Sequence, residues 1–185
     1  MKRFKYKSLK EFANNFDFEN FGKEDLIISD IDGVFFKGVY DPREIIGVIK
    51  KENLHILETF LKMNCGFWIF TNRKKFFRNF PFIKQLQNTL SNHSQSKVNI
   101  FLGSNDYLEH KIQKYAVIIN SAKPGNKSQE VVGKGIDNFR KVIYIGSQDT
   151  PFFYTDKKLV DNLSKKKDLS KLVFVEINSW KRNSQ

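Results

Sequence analysis

Two aspartates separated by one apolar residue, Asp30-Ile31-Asp32, follow directly on the apolar run Leu26-Ile27-Ile28-Ser29 and lead into Gly33 and Val34. In extended backbone, residues two apart point the same way, so Asp30 and Asp32 can converge on one point at a strand end. Gly33 then lets the chain turn sharply away. Two carboxylates this close repel each other unless a cation or a shared proton relieves them, so the pair implies metal or proton chemistry. Taken alone, Asp-x-Asp-Gly also has a plain explanation as a turn, because Asp and Gly are common turn formers.

Three further polar clusters stand in comparable places. Thr71-Asn72-Arg73 follows Phe67 to Phe70 and offers a hydroxyl, an amide and a guanidinium, a set suited to cradling phosphate. Its ordinary alternative is a helix cap. Asn120-Ser121-Ala122-Lys123-Pro124 follows Tyr115 to Ile119 and places a lysine just before a predicted helix, where a solvated surface lysine is the alternative. Gly146-Ser147-Gln148-Asp149-Thr150 follows Val142 to Ile145 and supplies another acid. Each cluster has a bland reading; four in succession, each just past an apolar run, argue for one shared site.

The elements that must position these residues are legible as runs and periods. Strand-length apolar runs recur at Leu26 to Ser29, Gly66 to Phe70, Val98 to Leu102, Tyr115 to Ile119, Val142 to Ile145 and Leu172 to Val175. Most do not alternate, as expected of strands covered on both faces. Leu54, Leu57 and Leu61 predict a helix over Lys50 to Asn64, and Ile83, Leu86 and Leu90 predict another after Pro81. Further helices are predicted from Lys127 to Phe139 and from about Pro151 to Leu163. Strands alternating with helices predict an α/β fold with a mainly parallel sheet covered on both faces, and such sheets bind ligands at their carboxyl edge. Residues 1–20 read as a polar N-terminal extension, 21–178 as the domain and 179–185 as a C-terminal tail.

The succession of clusters resembles the four motifs of the haloacid dehalogenase (HAD) superfamily: Asp-x-Asp-Gly-Val after a first strand, Thr-Asn after a second, Lys-Pro after a third and a Gly-led acidic loop after a fourth. The likeness covers residues 25–161. It implies a three-layer Rossmann-like HAD fold. It also implies a Mg²⁺-dependent phosphohydrolase in which Asp30 attacks phosphorus to form an aspartyl-phosphate and Asp32 acts as general acid and base. Thr71 and Lys123 would hold the phosphoryl oxygens, with Gly33, Lys37, Asn72 and Arg73 completing the substrate site. Mg²⁺ would be held by the Asp30 carboxylate, the Asp32 backbone carbonyl, waters and a motif-four acid. The departure lies in motif four, where Ser147 follows Gly146 and the acid, Asp149, comes two residues later, with Asp156 distant. Asp149 therefore stands in as metal ligand, or the chain is a module that binds a phosphorylated partner and turns over poorly.

The intervals between the motifs are too short for a large cap. The segment Phe35 to Pro42 reads as a small flap bringing Phe36, Lys37 and Tyr40 to the entrance, or as a hairpin packed on the body. An open site suits a large substrate such as a nucleic-acid end, or a phosphorylated small molecule covered by a second copy in a homo-oligomer. The net charge of +12 permits a nucleic-acid partner, but the basic residues are scattered along the chain, and a basic nucleic-acid binder is the third reading. The lone Cys65 excludes an internal disulfide and reads as a packing residue. His55, His93 and His110 lack zinc-ligand spacing. No run approaches the length of a membrane span, so the expectation is a soluble, cytoplasmic protein.

Overall fold

A computed structural model describes residues 1–31, 33–35, 49, 51–71, 81–95, 97–102, 104–119, 126–147 and 156–178. In chain order the elements are β1 (Lys2–Tyr6), α1 (Leu9–Asn15), β2 (Leu26–Ser29), α2 (Lys51–Lys62), β3 (Gly66–Thr71), α3 (Pro81–Ser94), β4 (Ile100–Phe101), α4 (Ser104–Glu109), β5 (Tyr115–Ile119), α5 (Asn126–Asn138), β6 (Val142–Ser147), α6 (Asp156–Ser164) and β7 (Leu172–Ile177). The strands form one seven-stranded sheet in the order β1-β7-β6-β2-β3-β5-β4, and every pairing is parallel.

Side chains leave the strands alternately to two cores. Ile27, Phe67, Ile69, Val117, Ile119, Ile143 and Ile145 face helices α1, α2 and α3. Leu26, Ile28, Trp68, Phe70, Ala116, Ile118, Val142 and Tyr144 face α4, α5 and α6. Both faces are thus apolar, which explains why the runs do not alternate. Each connection that runs toward the β4 edge carries its helix on the first face, and each that runs toward the β1 edge carries it on the second. That segregation follows when all crossovers share one hand. The result is a three-layer Rossmann-like α/β domain. Among the described residues no helix is long and apolar enough to cross a membrane.

The structure adds elements that the apolar runs did not announce. The first twenty residues, read as a polar extension, supply β1 and α1; β1 pairs with β7 from Lys2↔Val173 to Tyr6↔Ile177, and α1 buries Leu9 and Phe12. The helix α4 is also new. The expected strand Val98 to Leu102 narrows to two residues, because Val98 is tied to α3 instead: its N–H donates to Ser91 Oγ at 3.0 Å and its carbonyl accepts from Gln87 Nε2. The start of the last helix predicted at Pro151 lies outside the described residues, and α6 is described from Asp156.

A candidate site at the switch point of the sheet

Neighbouring strands β2 and β6 send the chain in opposite directions, β2 toward β3 and β6 toward β7. Between the carboxyl ends of such a pair an open α/β sheet forms its ligand crevice. Asp30 is the first residue beyond β2, and its N–H donates to Ile145 O of β6 at 3.0 Å. Its Oδ1 accepts from the Ile31 N–H at 2.7 Å, and its carbonyl accepts from Ser29 Oγ at 2.9 Å. The side chain is therefore oriented from its base while Asp30 keeps partial exposure.

The chain then turns back at once. Val34 and Phe35 N–H groups both reach the Ile31 carbonyl, at 3.3 and 2.9 Å, and Gly33 takes φ 77°, a left-handed conformation that favours glycine. Ile31, Val34 and Phe35 are buried in the first core. The apolar residue between the two aspartates is thus a core anchor that locks the turn. The Phe35 carbonyl accepts from Asn53 Nδ2 of α2 at 2.7 Å, which ties the turn to the body.

Thr71 closes β3 with 1% exposure and stands in register with Ile119, the last residue of β5. The pairing Ser29↔Ile69 sets Thr71 one step beyond Asp30 along the same edge. Ser147 closes β6, since Ser29 pairs with Ile145. The described ends of β2, β3, β5 and β6 therefore bring Asp30, Gly33 and Thr71 to one edge, together with the departure points of the other candidate segments. Asp32, Lys37, Asn72, Arg73, Lys123 and Asp149 lie outside the described residues.

Comparison with known protein families, with curated proteins and with solved structures finds no match.

Asp156, which sequence reasoning set aside as distant, meets the end of β6. It opens α6 and is 7% exposed. Its Oδ1 accepts from the Tyr144 hydroxyl and its Oδ2 from the Ser147 N–H at 2.8 Å. A Cβ on Gly146 would come within 2.4 Å of the Asp156 Cβ, so glycine is what admits this contact. Asp156 is an acid in the first described turn of α6, a signal of the kind that sequence offers.

Oxygen-rich donors such as Asp30, with Asp32 and Asp149 in the adjoining segments, suit a hard divalent cation. Among the described residues no three His, Cys, Asp or Glu side chains gather in a metal-binding group. Away from this edge, Cys65 and Lys134 serve the packing of the fold. Burial pushes the Cys65 thiol up to about 12, so it stays protonated and unreactive in the first core. Lys134 donates to the Tyr107, Leu108 and His110 carbonyls at 3.0, 3.1 and 2.6 Å, capping the C-terminal end of α4.

Proposed function

We propose that the protein is a Mg²⁺-dependent phosphohydrolase of HAD type acting on a phosphate monoester. What carries this reading is Asp30 at the carboxyl end of the central strand β2, at the switch point, with the ends of β3 and β6 on either side. An Asp30 carboxylate oxygen attacks phosphorus, the bond from phosphorus to the leaving oxygen breaks, and Asp32 gives that oxygen its proton. Asp32 then takes a proton from water, whose oxygen attacks the aspartyl-phosphate. The bond from phosphorus to Asp30 breaks, releasing inorganic phosphate and restoring both carboxyl groups. The Thr71 hydroxyl and the Lys123 ammonium hold the phosphoryl oxygens through both steps, while Gly33, Lys37, Asn72 and Arg73 shape the substrate site. Mg²⁺, which the Asp30 carboxylate, the Asp32 backbone carbonyl and Asp149 would hold, would offset the repulsion between carboxylate and phosphate. The substrates to examine are phosphorylated sugars, nucleotides and nucleic-acid ends, because a fold of this type does not define the leaving group.

The test is phosphate release by wild type and Asp30→Asn with and without Mg²⁺. Turnover should need the metal and fall about 10³-fold or more in the variant, since an amide cannot serve as nucleophile. Equal turnover by the two proteins would sink the mechanism. A second reading, a HAD-like module that binds a phosphorylated partner without turnover, is favoured by Ser147 directly after Gly146 and by Asp156, whose two oxygens are already engaged by Tyr144 and Ser147.

A further inference from the structure

The Asp156 carboxylate is buried at the candidate site, and neither chemical step above uses it. Two of its hydrogen bonds join the start of α6 to Tyr144 and Ser147 of β6. Oδ1 holds the Tyr144 hydroxyl, and Tyr144 is fully buried in the second core, its ring 5.8 Å from that of Phe174. Oδ2 holds the Ser147 N–H at 2.8 Å. Ser147 and Asp156 bracket residues 148–155, so a single contact ties together both stems of the connection that carries Asp149. Two residues before Ser147, the Ile145 carbonyl of the same strand receives the Asp30 N–H at 3.0 Å. The rigid core, the exit from β6 and the backbone of Asp30 thus form one continuous set of contacts.

We propose that Asp156 is a positioning residue, which fixes the end of β6 at Ser147 and, through the Ile145 carbonyl two residues earlier, the backbone that carries the Asp30 carboxylate. The inference rests on the phosphohydrolase reading and assigns Asp156 no contact with the substrate. A carboxylate accepts from both donors, an asparagine keeps one acceptor oxygen and an alanine keeps none. Misplacement by an ångström far from the reacting atoms is enough to slow chemistry about 100-fold. The loss should fall on kcat, because the groups that hold the ground-state phosphate come from β3 and β5.

The experiment measures kcat and KM of wild type, Asp156→Ala, Asp156→Asn and Tyr144→Phe on one phosphate ester that wild type hydrolyses, normalised to folded protein. Asp156→Ala should lower kcat about 100-fold with little change in KM, Asp156→Asn should recover part of it, and Tyr144→Phe, which keeps its core ring, should lose about tenfold. Wild-type kcat in both Asp156→Ala and Tyr144→Phe overturns the inference while the hydrolase reading stands. So does a loss that vanishes on normalisation to folded protein, or an asparagine variant no better than alanine. A wild type that hydrolyses no phosphate ester overturns the hydrolase reading and this inference together.

Discussion

Asp25 and Asp30 flank the same four-residue strand and meet opposite surroundings. Asp30 sits partly exposed at the carboxyl edge, whereas Asp25 is fully buried at the amino edge and receives Arg140 Nε at 3.0 Å and Nη2 at 2.6 Å. Burial pushes the Asp25 carboxyl up, but the hydrogen bonds from Arg140 and the Gly22 amide, with the positive fields of Arg140 and Lys141, outweigh it and hold the group below its usual 3.8. A lowered folded-state pKa contributes stability that is present above the unfolded value and lost as pH falls through the folded one. Arg140→Met leaves a buried carboxylate without its partner, so it should cost about 3 kcal/mol at pH 7. The gap between wild type and variant should narrow as pH falls through the lowered folded-state value of Asp25, where the carboxyl takes up a proton. Urea denaturation at pH 7 and pH 3 checks this; a gap that stays constant would mean that Asp25 does not titrate with the pair.

At the scale of elements, the N-terminal segment shows how an edge strand escapes recognition. Residues Lys2 to Lys5 are all exposed, so no apolar period marks them, and their basic side chains line the outer edge of the sheet as the described residues form it. The helix that follows was legible in principle. Ser8 accepts from the Glu11 N–H at 3.1 Å and Glu11 accepts in return from the Lys7 N–H, a variant of the Ser-x-x-Glu capping signal. Phe12 carries the packing: its ring lies 5.4 Å from Tyr6, 5.1 Å from Phe16, 5.5 Å from Phe18 and 5.8 Å from Phe60. Phe12→Ala should therefore destabilise the whole domain by about 3–5 kcal/mol, as for other buried phenylalanines. A loose extension would leave the denaturation midpoint unchanged, which makes the same measurement decisive between the two descriptions.

At the scale of the molecule, the two functional readings separate on metal linkage. A ligand that binds only the folded state adds about 2.7 kcal/mol at a hundred times its Kd, which raises the melting temperature of a domain this size by roughly 5–10 °C. Mg²⁺ should produce such a shift in wild type and a smaller one in Asp30→Asn. A flat response across millimolar Mg²⁺ would favour the phosphate-binding module. Nucleic-acid binding driven by the net charge of +12 would instead weaken steeply with salt, so affinity for an oligonucleotide at two salt concentrations tests whether that charge serves a polyanion.

The amino-acid sequence by itself determined the class of fold and the places of Asp30 and Thr71 at strand ends. Short unbroken apolar runs such as Phe67 to Phe70, spaced between helical periods, suit strands covered on both faces, and periods such as Ile83, Leu86 and Leu90, all fully buried, suit the helices that cover them. The turn at Gly33 was legible too, because its left-handed backbone is a local property. Tertiary structure alone decided which strands are neighbours. No local pattern places β6 beside β2, since that pairing joins residues more than a hundred positions apart through side chains interchangeable among Ile, Val and Leu. The switch point follows from that order, and with it the approach of Asp156 to Ser147. That contact depends on the space left by a missing Cβ at Gly146, which becomes visible only once α6 has packed against the end of β6.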